Sequence, residues 1–279
     1  MKRALLAIGA GTATFVALAF LVLPIVALFV HTSPGTLIDQ FSSPAVKDAF
    51  VVTIKTSLIA QGFIILFGTP TAYLIATRRF PGRSLAITLV ELPLVLPPAV
   101  AGIGLLAAFG RSGLLGSTFD ALGFSIPFTH VAVVMAVAFV ASPLYITPAI
   151  AAFQGVDPNI VAASRTLGAG PSRTFFRVVL PLARAGLLAG VALSFARGIG
   201  EFGATIMFAG NFQGTTQTLP LAIYQVFESD FDTALALGAL LVVFSAAILL
   251  TVKLLSAWTR SISTSTSRSA TLPFAPTSA

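Results

Sequence analysis

Long apolar runs alternate with short polar segments along the whole chain. Six runs stand out: Ala4–Val30, Leu58–Ala76, Leu85–Phe109, Val131–Phe153, Ala185–Phe208 and Ala234–Val252. A bilayer core about 30 Å thick takes roughly 20 residues of helix, so each run predicts one span. Glu91 interrupts the third run, and Arg197 and Glu201 interrupt the fifth. The first run follows Lys2 and Arg3, as a secretory signal would. Its 27 uncharged residues exceed the usual apolar stretch of such a signal, about 7–15 residues, and no convincing small-x-small cleavage site precedes His31. It is expected to be a retained span. The pattern therefore predicts an all-α integral membrane protein with six transmembrane helices.

Proline placement refines the third run. Pro93, Pro97 and Pro98 cannot all sit in an undisturbed helix interior, so a kinked or interrupted span is expected there. Glu91 lies eight residues past Arg83, about 12 Å along a helix, and is expected to partner a basic residue near that surface.

Composition agrees with the runs. Only 9% of the 279 residues are charged and 56% are hydrophobic, whereas an ordinary soluble domain carries about 25% charge. The net charge of +7 comes from sixteen Lys and Arg that form no clustered patch, which argues against nucleic acid as a partner. With no cysteine there is no disulfide scaffold, thiolate metal site or cysteine nucleophile. His31 and His130 lie far apart with no metal-ligand spacing, and they are assigned no role.

The basic residues carry topology instead. With the N-terminus inside, the inner segments hold Lys2, Arg3, Arg78, Arg79, Arg83, Arg165, Arg173, Arg177, Arg184, Lys253, Arg260 and Arg268, and the outer segments hold only Lys47 and Arg111. Lys and Arg are retained on the cytoplasmic side of short loops, so both termini are expected to be cytoplasmic. Lys55 is expected to snorkel to the outer interface. The division is 1–47 for the first helix and outer loop, 48–258 for the transmembrane domain, and 259–279 for a Ser/Thr/Pro-rich tail expected to be disordered.

The longest cytoplasmic connection, 154–184, frames a short helix. Asp157 can accept from free backbone N–H groups, Pro158 suits the first helical position, and Gly168 suits the left-handed turn that ends a helix. Ile160, Val161, Ser164 and Leu167 recur at helical spacing and predict a mildly apolar face, with Arg165 pointing elsewhere. Pro171 is expected to break the chain and Ser172 to cap the helix that leads into the fifth span. Such a helix could rest on lipid headgroups or dock a cytoplasmic partner.

The stretch Ala162-Ala163-Ser164-Arg165-Thr166-Leu167-Gly168, followed after nine residues by Val178-Val179-Leu180-Pro181, resembles the EAA loop of ABC importer permeases. The family's Glu falls on Ala162, its second Ala on Ser164 and its Ile on Val178, while Gly168, Leu180 and Pro181 fall on pattern. Losing that Glu removes any salt bridge it would make. A second stretch, Phe195–Asn211, with Leu219-Pro220-Leu221-Ala222-Ile223-Tyr224 and Leu92–Gly102, resembles molybdate permeases, with sulfate and tungstate permeases similar.

This resemblance implies a type I ABC importer transmembrane fold in a bacterial inner membrane and a homodimer around the translocation path. It also implies two cytoplasmic ATPase subunits that bind ATP and Mg, and an extracytoplasmic molybdate-binding protein. No cofactor is expected in this chain, which has no G-x-x-x-x-G-K-[ST] phosphate loop and is not expected to be an enzyme. The coupling helix would comprise Asp157, Pro158, Ile160, Val161, Ala162, Ala163, Ser164, Arg165, Leu167 and Gly168.

Arg197 and Glu201 are four apart, so on one helix they could pair. Each alone would cost roughly 2.5–3.5 kcal/mol at mid-membrane. Either they form a salt bridge facing the bundle, or their face lines the passage, together with Gly203, Thr205, Pro97 and Pro98. In the second case Arg197 would offer a positive site to a dianion and Glu201 would weaken it, because a bound ion must also leave. A channel or secondary transporter working without an ATPase is the alternative of another class.

Overall fold

The computed structural model describes residues 2–268, and among them every regular element is helical. The helices are α1 (Lys2–His31), α2 (Pro34–Ser42), α3 (Pro44–Thr77), α4 (Arg83–Val95), α5 (Pro98–Phe109), α6 (Gly116–Ala121) and α7 (His130–Gln154). They continue with α8 (Pro158–Thr166), α9 (Pro171–Thr174), α10 (Leu180–Ile199), α11 (Gly203–Ala209), α12 (Leu219–Phe227) and α13 (Phe231–Arg268). A π-helical turn, Phe175–Val179, joins α9 to α10 without a break.

Five stretches are long and apolar enough to cross a membrane: Gly9–His31, Pro44–Thr77, His130–Gln154, Pro171–Ile199 and Phe231–Thr251. The third apolar run is interrupted, as the prolines require, with α4 and α5 meeting at 115°. Its cause is local. Leu96 and Pro97 each precede a proline, which disfavours the helical region, and both are extended, at ψ 132°. Pro98 then opens α5 where no N–H is needed.

The centre of the bundle is α3, α7 and α10 around Tyr145. Its ring packs between Gly68 and Gly190, where an added Cβ would meet it at 3.0 and 3.3 Å. Its hydroxyl pairs with Thr69 Oγ1 at 2.6 Å. Small residues let helices approach closely where water supplies no driving force between them. Around Tyr145 lie Ile64, Ala72, Ala141, Ala149 and Leu187, all buried. A second cluster joins α5, α7 and α11 through Leu105, Val133, Val137 and Phe208. α1 lies against α13, where Leu28 reaches within 3.6 Å of a Cβ built on Gly238.

Several expectations are corrected. α3 begins at Pro44, fourteen residues before the apolar run, with the Ser43 hydroxyl accepting from Val46 N–H as its cap. The fifth run is two helices, because α10 ends at Ile199 and α11 begins at Gly203. Pro171 starts the helix leading into α10 at its first position; the cap is Gly170, and Ser172 makes no capping bond. α13 continues to Arg268, so the first part of the expected disordered tail is helical, and 269–279 lie outside the described residues. Glu91 stands exposed on α4 with no ion pair among the described residues.

Candidate functional site

α8 forms as its caps require. Asp157 is extended, and its Oδ1 accepts from Asn159 N–H at 2.8 Å. At the other end Gly168 sits at φ 81°, a left-handed turn that costs glycine little. Gly168 N–H donates to the Arg165 carbonyl at 3.0 Å, and Ala169 N–H donates to that of Ser164 at 3.1 Å.

The face α8 turns toward the bundle is narrower than the expected one. Val161 and Ser164 are half-buried, and Ser164 Oγ lies 3.2 Å from the hydroxyl of buried Thr174. Ile160 and Leu167 instead point outward, 45% and 88% exposed, beside exposed Ala162, Ala163 and Arg165. Of the expected apolar face, α8 thus turns Val161 toward the bundle and Ile160 and Leu167 away from it. Leu180 closes the π-helical turn, its N–H reaching back to the Phe175 carbonyl. Pro181 follows, with no N–H to return to the Arg177 carbonyl, and the widened turn lies just ahead of it.

The second candidate group gathers where α10 gives way to α11. Arg197 Nη2 lies 2.7 Å from Glu201 Oε2, with the two side chains 34% and 0% exposed. Glu201 was expected on the helix of Arg197, but α10 ends at Ile199 and Glu201 lies in the break behind it. There its Oε1 accepts from Ala204 N–H at 2.8 Å, at the start of α11. The carboxylate therefore joins the end of one helix to the start of the next. Thr205 is fully buried on α11, its hydroxyl without a partner. Pro97 and Pro98 are exposed at the α4–α5 break.

The two interrupted runs meet at their breaks. A Cβ on Gly203 would come within 2.8 Å of Pro98 Cβ, and one on Gly102 within 2.6 Å of the Ala204 carbonyl. α5 and α11 are thus packed backbone to backbone. Gly102→Ala is expected to lower stability by about 1–3 kcal/mol through overpacking. Gly104→Ala, with nothing within 4 Å of its Cβ, is expected to be neutral or slightly stabilising. Thermal melts of the purified protein compare the two, and equal melting temperatures would refute the close packing.

Some of the arrangement was not anticipated. Ser194, one turn before Arg197, donates to Gln61 Oε1 on α3 at 2.9 Å, and the amide nitrogen of buried Gln61 has no partner. Thr53 Oγ1 accepts from Leu219 N–H at 2.8 Å, tying α12 to α3. Gln61, a polar residue inside an apolar run, was the available signal. At the opposite end of α7 from α8, Lys55, Asp48 and His130 surround a cavity of about 200 Å³. No group of three or more His, Asp or Glu side chains among the described residues could hold a metal.

Residues 64–261 match the family model described as the binding-protein-dependent transport system inner membrane component. The chain belongs to that family. The molybdenum transport system permease protein ModB of Mycobacterium tuberculosis is 42% identical over 235 residues, covering 83% of this chain and 88% of that protein. Escherichia coli ModB is 39% identical, covering 77% and 93%. The sulfate transport system permease protein CysT of Salmonella typhimurium is 33% identical, covering 88% and 90%.

Among solved structures, the fold is similar to a bacterial ABC transporter involved in the import of the acidic polysaccharide alginate. Its TM-score is 0.70 at 18% identity, covering 92% of this chain and 96% of that one. The MetNI methionine ABC transporter in an inward-facing conformation gives 0.60 at 19%, covering 78% and 99%. At these identities the likeness speaks for the fold alone. It is the type I ABC importer transmembrane fold, and the chain is an inner-membrane component.

Proposed function

We propose that this chain is the permease subunit of an ATP-driven molybdate importer. The observation that carries the reading is the 42% identity to a molybdenum permease over 83% of the chain, against 33% to a sulfate permease over a similar span. Both termini would lie in the cytoplasm, and two copies would enclose the path. α8, presenting Ile160, Ala163 and Leu167 outward, would dock a cytoplasmic ATPase subunit that binds ATP and Mg. This chain would itself hold no cofactor.

The coupling runs along the covalent chain. α8 is bonded through Ser164 to Thr174, in the helical stretch Pro171–Ile199 that becomes α10. ATPase closure moving α8 would therefore swing α10, and with it Arg197 and the break at Glu201. An extracytoplasmic binding protein would release the oxyanion into the opened path. Arg197 would meet the dianion there, while Glu201 would keep the site from holding it tightly.

The test is uptake in cells lacking this gene and complemented with it, using molybdate, tungstate and sulfate in competition. Complementation should restore molybdate uptake, with excess sulfate a weak competitor. Restoration of sulfate uptake at equal efficiency would move the assignment to the sulfate permeases.

A further inference from the structure

A cavity of about 460 Å³ lies where the end of α3, the end of α7, α8 and the π-helical turn come together. Its wall is mixed: Tyr73, Ala76, Phe153 and Val161 give it an apolar side, and Thr77, Gln154, Arg78 and Arg165 a polar one. A neighbouring cavity of about 310 Å³ shares Arg78 and continues to Arg79 and Arg83. No Asp or Glu lines either cavity. Arg83 Nε is committed to the Ile75 carbonyl at 2.8 Å, near the end of α3. Arg78, Arg79 and Arg165 have no carboxylate partner among the described residues.

Four guanidinium groups border two adjoining cavities whose walls hold no carboxylate, Asp157 beside them being engaged as the cap of α8. The four therefore repel one another and create a strong field for an anion. Their depth narrows the choice. They sit at the end of the α3 span, where headgroups lie, on the face assigned to the cytoplasm by the basic loops. An inorganic oxyanion would use the arginines and leave the apolar wall idle. A molecule with an anionic phosphate and an apolar body uses both.

We propose that the cavity between α3, α7 and α8 is a binding site for an anionic phospholipid of the cytoplasmic leaflet. The phosphate would bridge Arg78 and Arg165, and an acyl chain would lie along the half-buried Tyr73, Ala76 and Val161. Because Arg78 caps α3 and Arg165 stands on α8, the headgroup fastens the docking helix to the bundle. The proposal goes beyond the transport reading; it depends on α8 facing the cytoplasm and not on the cargo.

The experiment is native mass spectrometry of the purified full chain with equimolar phosphatidylglycerol and phosphatidylcholine. Reading lipid on the chain without its ATPase separates lipid loss from loss of docking. Phosphatidylglycerol should be retained preferentially. Each of Arg78→Gln and Arg165→Gln should weaken retention roughly fivefold, as one basic residue at an anionic surface does. Arg78→Lys should keep most of it, and Arg173→Gln, exposed but lining neither cavity, should change nothing. Equal retention of the two lipids would overturn the proposal. So would equal loss in Arg173→Gln, or displacement of phosphatidylglycerol by millimolar molybdate or sulfate.

Discussion

Deleting residues 158–168, or replacing Gly168 with proline, is expected to abolish ATP-driven uptake and release the ATPase while leaving the membrane bundle folded. No residue of α8 is fully buried, and its bond to the rest runs through Ser164 and Val161. Of α8, only Val161 packs against the core around Tyr145. Gly168 at φ 81° is where the chain reverses after α8. Proline fixes φ near −65°, so Gly168→Pro cannot make this turn and must redirect α8. Gly168→Ala keeps the turn at a cost of about 1–2 kcal/mol for a left-handed residue, and should weaken coupling without ending it. Co-purification of the ATPase, read beside a melting curve, checks both. An uptake-competent Gly168→Pro protein would show that α8 does not transmit the ATPase movement.

The second large effect falls on Arg197 and Glu201. Removing one partner of a buried pair costs about 3–5 kcal/mol, because the other charge is left unpaired. Here the costs are unequal. Glu201 is entirely shielded and Arg197 about a third exposed, so Arg197→Ala strands the carboxylate, whereas Glu201→Ala leaves a cation that reaches water. Glu201→Ala also removes the acceptor of Ala204 N–H, so it does not come free.

The double variant separates structure from transport. If the pair serves only to balance its own charges, Arg197→Ala combined with Glu201→Gln, whose amide oxygen can still accept from Ala204 N–H, restores stability and uptake together. If Arg197 meets the dianion, stability returns and uptake stays at least tenfold down. The second outcome is expected. Recovery of both would reduce the pair to packing.

Much of this architecture was legible because hydrophobic runs report which segments avoid water. They located the spans, and the prolines located the α4–α5 break. The caps of α8 were legible at residue level, since Asp157, Pro158 and Gly168 each act through their own backbone. Other features escaped for identifiable reasons. The first turns of α3 are rich in hydroxyls and charge, so hydropathy does not mark them as part of a span. Thr53 and Thr56 satisfy themselves on the Ala49 and Val52 carbonyls at 2.7 Å, which lets polar residues sit in a buried helix.

The break at Gly200–Phe202 lies inside a run that reads as one span, because apolar composition reports the medium and not the backbone direction; Glu201 interrupts the run at that point but reads equally as a pair for Arg197. The outward turn of Ile160 and Leu167 was hidden for a related reason. Spacing shows that residues share a face but not what that face meets. The Ser194–Gln61 bond joins residues 133 apart, which no local pattern reveals.

The most direct test of the central claim is radiolabelled molybdate uptake by proteoliposomes containing the permease, its ATPase and its binding protein. Uptake should require ATP on the α8 side and the binding protein on the other, saturate with molybdate, and disappear when 158–168 are deleted. Uptake that proceeds without ATP, or that survives loss of α8, would contradict it.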